Sequence, residues 1–241
     1  VPIALTPLGH YLFLRLGLEL FGDIIGRHAV TPAVIAVFGM VFCVFVGLAQ
    51  GSLRSALAYF QLAVSGSLLV GVASTDPMGP TAGLASACNL AIAGTGLLLA
   101  ADMVHARAGT TDFAALGGLV RTAPRLTGLF LVISLAYAGF PGALGFIAEH
   151  LASHGAFEAH GTLAIAMVAA VNLASVLLWW SFTRAFLGPW RTPQLSNFPR
   201  LLPREHVALL AVVLLVIIAG WWLEPWVAMI EPTIAAHMPR L

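Results

Sequence analysis

The chain has 241 residues, of which 60% are hydrophobic and only 9% are charged. Ordinary soluble domains carry about 25% charged residues, so this composition leaves too few polar side chains to cover a water-soluble fold of this size. All eleven basic residues are arginine and the formal net charge is +1, which excludes the basic surface that nucleic-acid binding requires. The composition therefore predicts a polytopic membrane protein.

Seven apolar stretches are each long enough to cross a hydrocarbon layer of about 30 Å. Because lipid offers the backbone no hydrogen bonds, each stretch is predicted to be a helix. Together they predict an all-α membrane helix bundle, with residues 1–241 forming a single transmembrane domain. The predicted spans are 3–22, 31–50, 53–74, 80–103, 126–156, 162–187 and 206–228.

The arginines are divided unequally between the two sides of this predicted bundle. Only Arg27 and Arg240 fall on one side. Because cytoplasmic loops carry an excess of basic residues, the other side is predicted to be cytoplasmic, with the amino end inside and the carboxyl end outside a bacterial inner membrane. The loop 104–125 is too polar to cross and is predicted to carry a short helix. The eight arginines of the predicted cytoplasmic side are Arg54, Arg107, Arg121, Arg125, Arg184, Arg191, Arg200 and Arg204.

The fifth span contains a helix break followed by a carboxylate, in the stretch GFPGALGFIAEH over 139–150. About 20 Å of helix separate Arg125 from this stretch, which places the break beyond the membrane midplane. Glu149 follows one turn later, where an intramembrane carboxylate indicates a functional site. The alternative is a short second half-helix, with Glu149 among the outer headgroups. The break is predicted at 139–146, because proline removes a backbone donor and glycine loosens the turn, and its residues are Gly139, Pro141, Gly142 and Gly145.

Other polar side chains fall at membrane depth or just beyond it. Asn89 and Asn172 lie in the middle of predicted helices, where they either bridge water molecules or hydrogen-bond neighbouring helices. His150, His154 and Glu158 recur every four residues on one helical face. They form either a solvated outer stripe or a zinc site, and the stripe is the prediction.

Nothing in the sequence indicates a cofactor. No nucleotide, flavin or haem motif is present, and Cys43 and Cys88 are too few for an iron–sulfur cluster that needs four thiolates. Both cysteines lie within apolar stretches and are interpreted as small hydrophobic residues. No cofactor and no metal ion is predicted.

Four stretches resemble, in order and spacing, the antiporter-like subunits of respiratory complex I and of multisubunit sodium/proton antiporters. FPGALGFIAEH is similar to their second broken helix, Pro-Gly-x-x-x-Phe-x-Gly followed by Glu or Lys, with Ala148 in place of the last glycine. AQGSLRSALAYFQLAVSG resembles their Gln-Thr-Asp-Ile-Lys-Arg-Leu-Ile-Ala-Tyr helix, and TTDFAALGGL resembles Thr-Arg-Asp-x-x-x-x-Gly-Gly-Leu. ASVLLWWSFTRAFLGP resembles a helix end that closes in Arg-Ala-Tyr-Phe-Gly.

This resemblance implies a subunit of about fourteen helices built around two inverted repeats, of which the chain would be the carboxyl-terminal half. A start at Val1 rather than Met agrees with an internal start. The resemblance also implies other membrane subunits as partners and protons or sodium ions as the transported species. The chain would then be a non-redox subunit of a translocase that resembles NADH:quinone oxidoreductase, or of a cation/proton antiporter.

The resemblance implies roles for individual residues. Glu149 falls on the acidic or lysine residue of the second broken helix, which is thought to serve proton exit. Arg54 falls on or beside a family lysine, and keeps the charge without easy deprotonation. In LTPLGHYLFLRL, Pro7 occupies the place of the central lysine and His10 is the nearest titratable group. Leu90 sits where the family often has histidine.

Three hypotheses follow for the function. In the first, the chain is an ion-translocating subunit. In the second, it is a structural membrane subunit whose relay has degenerated, which Pro7 and Leu90 favour. In the third, it is the membrane partner of an inorganic-carbon uptake complex. His10 could equally be a packing residue, Arg54 a loop anchor and the two asparagines interhelical contacts. The path predicted by the first hypothesis comprises His10, Arg54, Asn89, Asn172 and Glu149.

Overall fold

The computed structural model describes residues 2–17, 20, 28, 30–72, 78–192, 195, 198–222 and 228. Within these residues the chain is largely helical. It contains no strand there, and only an isolated bridge joins Ser52 to Asp112. The predicted all-α class is therefore confirmed.

The helices are numbered in chain order. In the described part of the chain they are α1 (Pro2–Leu12), extended by a π-helical turn (Phe13–Gly17), α2 (Val30–Leu48), α3 (Leu53–Val72), α4 (Met78–Ala108), α5 (Leu119–Thr122), α6 (Pro124–Tyr137), α7 (Leu144–Phe186) and α8 (Pro203–Trp221).

Five helical stretches of the described part are long and apolar enough to cross a membrane: Val30–Leu48, Leu53–Gly71, Thr81–Ala108, Gly161–Phe186 and Pro203–Trp221. They correspond to the second, third, fourth, sixth and seventh predicted spans. The fifth predicted span is divided between α6, which is a shorter apolar helix, and the beginning of α7. The first predicted span, 3–22, lies partly outside the described residues.

Helix α7 spans 43 residues but folds back on itself, so it consists of two arms. Glu149 and Asn172 line the same cavity. In a straight helix their 23-residue separation would place them about 35 Å apart. Ser153 and Met167 line that cavity as well, so the two arms run antiparallel and the reversal lies between these residues. The predicted separation into spans 126–156 and 162–187 corresponds to these two arms.

Helix α4 extends further than predicted. The sequence predicted a polar loop from residue 104, whereas the helix continues to Ala108. Arg107 explains the extra turn, because its Nη1 donates to the carbonyl oxygen of Met103 at 3.1 Å and its guanidinium pairs with Glu205 of α8. The short helix predicted in this loop is α5.

Small side chains bring the helices together at the end of the bundle that carries the α7 reversal. Without a hydrophobic driving force between helices in lipid, close backbone approach and van der Waals packing hold such helices together. Gly66 of α3 illustrates the approach, because a Cβ there would collide with Met40 of α2 and lie 3.2 Å from the carbonyl oxygen of Ala36. The buried cluster at this end comprises Ala33, Ala36, Met40, Val70, Ala82, Ala152, Ala156, Ala164, Met167, Ala170 and Val171.

Three connections meet at the opposite end, which we call the arginine-rich end: residues 49–52, 109–123 and 187–202. Backbone hydrogen bonds join the first two, from Leu53 N to Thr111 O at 2.9 Å and from Phe113 N to Gly51 O at 2.8 Å. The third is attached by Gly118 N, which donates to the carbonyl oxygen of Leu187 at 3.0 Å. The loops predicted to share one side of the membrane thus lie together.

Two ion pairs at the arginine-rich end differ in their environment. Arg107 and Glu205 are largely buried, with side chains 8% and 19% exposed, whereas the Arg54 and Asp102 side chains are 53% and 48% exposed. A buried pair that loses one partner leaves an uncompensated charge, while an exposed pair contributes at most about 1 kcal/mol. Arg107 therefore ties α4 to α8, and Arg54 contributes little to stability through its pair.

Candidate functional site

The break in the fifth span lies at residues 138–143, between the end of α6 at Tyr137 and the start of α7 at Leu144. Gly139 and Gly142 adopt positive φ angles of 84° and 91°, a region that favours glycine. The predicted break at 139–146 is thus correct in place but too long. Gly145 lies in the first turn of α7, because the backbone returns to helical geometry as soon as the two positive-φ glycines are passed.

Glycine is required at two further positions because backbone approaches backbone. A Cβ on Gly145 would collide with the carbonyl oxygen of Ala136 and lie 2.9 Å from that of Tyr137, both in the last turn of α6. A Cβ on Gly220 of α8 would lie 2.5 Å from the carbonyl carbon of Ala143. The break is therefore packed against the end of α6 and against α8, while Phe140 and Pro141 at its tip are exposed.

The carboxylate of Glu149 packs against the break. Its Oε2 atom lies 2.6 Å from the position that a Cβ on Gly139 would occupy. Glu149 is partly buried, and no residue of the described chain forms an ion pair with it. An ionisable group of this kind within a membrane is costly and is generally found facing a bundle interior or a water-filled cavity.

A narrow cavity lies on one side of Glu149 and joins four helices. Its volume is about 10 Å³, room for roughly one water molecule. His10 of α1 lines it, and its Nε2 donates to the carbonyl oxygen of Ser65 on α3 at 3.3 Å. The remaining lining residues are Val64, Ser67, Ser86, Asn89, Leu90, Gly145 and Ala148.

Buried polar atoms near the break lack protein partners. Asn89 is buried, and its Oδ1 atom has no hydrogen-bond partner among the described residues. The hydroxyl groups of Ser134 and Tyr137 on α6 are also buried and unpartnered within the described chain. Buried polar groups normally have hydrogen bonds, and ordered water supplies them where protein does not. Of these atoms, Asn89 Oδ1 belongs to a residue that lines the narrow cavity, where it is suited to bind the one water molecule that the cavity can hold beside Glu149.

A wider cavity of about 160 Å³ lies on the other side of Glu149, between the two arms of α7. It is lined by Glu149, His150 and Ser153 of the first arm and by Asn172 of the second. Asn172 is exposed, and its Nδ2 donates to the carbonyl oxygen of Val168 at 2.8 Å. Glu149 thus lines both cavities, so one carboxylate separates a narrow interior space from a wider space at the bundle surface.

Both cavities lie within membrane depth. Ser65 is twelve residues from the start of α3 at Leu53, or about 18 Å from the arginine-rich end. Asn172 is fourteen residues from the end of α7 at Phe186, or about 21 Å from the same end. In a hydrocarbon layer of about 30 Å these depths are beyond the midplane but short of the far surface. Glu149 occupies the same level, which favours the intramembrane position over the headgroup alternative.

The structure brings together four of the five residues of the predicted path. His10, Asn89 and Glu149 line the narrow cavity. Asn172 lines the wider cavity, which Glu149 also lines. Arg54 lies apart, in the first turn of α3 at the arginine-rich end, where it pairs with Asp102. About 16 Å of helix separate it from Ser65, so it does not line either cavity.

Sequence reasoning missed the serines of α3 and α4 and the tyrosine at the end of α6. Ser65, Ser67 and Ser86 line the narrow cavity, and Tyr137 lies directly before the break. Serine is common in membrane helices, so its presence alone did not distinguish these positions. The sequence signal that could have found Tyr137 is its position two residues before Gly139, where the segment containing glycine and proline begins.

The zinc alternative has no support in the geometry. Among the described residues, no three His, Cys, Asp or Glu side chains lie close enough to hold a metal ion. His154 and Glu158 are exposed toward the end of the bundle where α7 reverses, whereas His150, which is also exposed, lines the wider cavity.

Comparisons with known proteins identify the family to which the chain belongs. Residues 3–176 match the family described as NADH:quinone oxidoreductase/Mrp antiporter, transmembrane. The chain is 25% identical over 233 residues to NADH-quinone oxidoreductase subunit M of Mycobacterium tuberculosis, an alignment that covers 97% of this chain and 42% of the relative.

Solved structures share the fold. A chain of respiratory complex I from Thermus thermophilus with bound NADH is similar with a TM-score of 0.88 and 25% identity, over 97% of this chain and 49% of that one. A chain of the Mrp complex from a Dietzia species is similar with a TM-score of 0.79 and 19% identity, over 97% and 50%. The chain therefore spans about half the length of the proteins that it matches.

Proposed function

Because the chain belongs to the NADH:quinone oxidoreductase/Mrp antiporter transmembrane family, we propose that it is an ion-translocating, antiporter-like subunit of a larger membrane assembly. One observation carries the proposal: Glu149, which has no ion pair within the described chain, stands beside a broken helix and lines two separate cavities. A carboxylate in this position can bind a proton from one cavity and release it to the other.

The proposed path has an inner and an outer part. In the inner part, His10, Asn89 and the serines of the narrow cavity orient water that carries protons toward Glu149. In the outer part, His150 and Asn172 line the wider space through which the ion leaves. Glu149 links the inner and outer parts because it exchanges protons directly with both. Arg54 takes no part in these proton transfers.

Partner subunits supply the energy in this proposal. The relatives are subunits or chains of a quinone oxidoreductase and of multisubunit membrane complexes, and they are about twice as long as this chain. We assign the chain to the carboxyl-terminal half of such a subunit, because its pattern resembles the second broken helix. The driving reaction, redox or an opposing ion gradient, takes place in the rest of the assembly.

A structural role is the second candidate, and the narrow cavity favours it. Leu90 contributes an apolar side chain to the cavity wall where the family often has histidine, and the cavity has room for only about one water molecule. Pro7 stands in α1 one turn before His10. A path interrupted at these two positions would leave a subunit that keeps the fold and supports its neighbours without moving ions.

Ion movement by the intact assembly tests the proposal. The purified assembly that contains this chain is reconstituted in proteoliposomes, and a pH-sensitive dye and a sodium indicator are recorded while its own reaction or an imposed sodium gradient drives it. We expect a proton signal that collapses on addition of a protonophore. A fully active assembly that moves neither ion would support the structural role instead.

We further propose that the arginine-rich end is cytoplasmic in a bacterial inner membrane, since eight arginines lie in or beside its loops. In a Cys43→Ala/Cys88→Ala background, Ala106→Cys at this end should resist a membrane-impermeant maleimide added to intact cells. Glu158→Cys, at the opposite end and also exposed, should react readily and serves as the matched control. The reverse labelling pattern would invert the orientation.

A further inference from the structure

A cavity of about 390 Å³ opens at the arginine-rich end, away from Glu149. It lies where α5 leads into α6 and is closed by the connection that precedes α8. Arg125 contributes from the first turn of α6 and Arg200 from the connection. The other lining residues are Thr122, Ala123, Pro124, Leu126 and Leu201.

The two arginines that line this cavity have no acidic partner. Several other guanidinium groups at this end are engaged: Arg107 pairs with Glu205, Arg184 stacks over aromatic rings, and Arg191 donates to the carbonyl oxygen of Phe113 at 2.7 Å. Among the described residues, neither Arg125 nor Arg200 forms an ion pair. The lining contains no carboxylate, so both of its charged residues are cationic.

The remaining lining identifies the class of ligand. Beside the two arginines, the accessible lining is apolar and comes from Ala123, Pro124 and Leu201. The position at the start of a membrane helix corresponds to the headgroup level. Two forked guanidinium groups match the oxygens of a phosphate, and a neighbouring apolar wall suits the glycerol and first methylenes of a lipid better than a free ion.

We propose that this cavity binds the phosphate headgroup of an anionic phospholipid. Arg125 and Arg200, both exposed, hold the phosphate oxygens, and the partly exposed Leu201 contacts the apolar part. A lipid held here would link the start of α6, the first half of the broken helix, to the connection before α8.

Lipid retention and thermal stability of the purified, delipidated assembly test the site. Phosphatidylglycerol is added, with phosphatidylcholine of the same acyl chains and inorganic phosphate as parallel additions. We expect phosphatidylglycerol to raise the melting temperature by several degrees. Native mass spectrometry should show one anionic lipid retained per copy of the chain. Equal stabilisation by phosphatidylcholine or by inorganic phosphate would overturn the assignment to an anionic lipid.

Matched variants distinguish lipid binding in this cavity from a general electrostatic attraction of anionic lipid to the arginine-rich end. R125Q/R200Q removes the two cavity arginines, and R121Q/R204Q removes two exposed arginines of the same end that do not line the cavity. The first variant should lose the bound lipid and at least about tenfold in apparent affinity, while the second keeps both. If R125Q/R200Q does not assemble, R125K/R200K preserves charge and should still bind more weakly than R121K/R204K. Equal retention within either pair would refute the site.

Discussion

Replacing Glu149 by Gln is expected to reduce ion translocation by roughly tenfold or more while leaving the assembly intact, since a positioned group that transfers protons typically contributes at least that much to a rate. The amide keeps the shape and the hydrogen bonding of the carboxyl group but cannot exchange a proton. Because a buried charge is costly in the membrane, removing it should not destabilise the bundle and can stabilise it. The measurement is ion flux in proteoliposomes, normalised to the amount of assembled complex.

Two control variants define what this result means. Glu149→Asp retains an ionisable group on a shorter side chain and should keep part of the flux. Glu158→Gln makes the same chemical change on the same helix, at an exposed position beyond both cavities, and should have no effect. Wild-type flux in the Glu149→Gln variant would remove Glu149 from the mechanism and leave the structural role as the better explanation.

Gly145→Ala should damage both the assembly and its activity. The added Cβ would collide with the carbonyl oxygen of Ala136 and crowd that of Tyr137, and these are backbone atoms that cannot rotate away. Overpacking of this kind typically costs about 1–3 kcal/mol. The two half-helices must separate to relieve it, and this shifts Glu149, one turn further along α7, away from Gly139. We expect a lower melting temperature of the purified assembly and a lower flux per assembled complex.

Gly128→Ala is the matched control for this change. Gly128 also lies in a helix of the broken span, but a Cβ there would meet no atom within 4 Å. Alanine is favoured over glycine in a helix by up to about 1 kcal/mol, so this variant should be neutral or slightly stabilising. If Gly145→Ala behaves like Gly128→Ala, the tight contact between the half-helices does not position the carboxylate.

The two substitutions therefore test the proton transfer by Glu149 and the packing of the broken helix separately. Glu149→Gln should lower flux without lowering stability, while Gly145→Ala should lower both. A structural subunit with no ion path would show the second effect on stability but neither effect on flux. The pair of experiments consequently distinguishes the two candidate functions even if the absolute flux of the assembly is small.

The membrane class, the spans and the break could be predicted from the sequence because each depends on local chemistry. An apolar stretch of sufficient length must be helical in lipid, wherever its neighbours lie. Pro141 and the glycines around it interrupt a helix through their own backbone restrictions. From the unequal distribution of arginines, the sequence also predicted that the loops carrying most of them share one side of the membrane. These loops do meet at one end of the bundle.

The composition of the site depended on the tertiary structure. His10 and Glu149 are far apart in the chain, and the narrow cavity unites them only because α1, α3, α4 and α7 pack side by side. Arg54 was predicted to belong to the same path, but it lies in the first turn of α3, where it forms an ion pair with Asp102. Helical periodicity predicts which residues share a face of one helix, and not which face turns toward which neighbour.

What the sequence alone determined is therefore a broken membrane helix followed by a carboxylate, with the depth of that carboxylate left open. The tertiary structure decided that this carboxylate separates two cavities and that α7 reverses to place Asn172 beside it. It also decided which serines and which tyrosine surround the break. The physical reason is that helix rotation and depth are set by close contacts of small residues, such as Gly145 against α6 and Gly220 against Ala143, which act between segments distant in the chain.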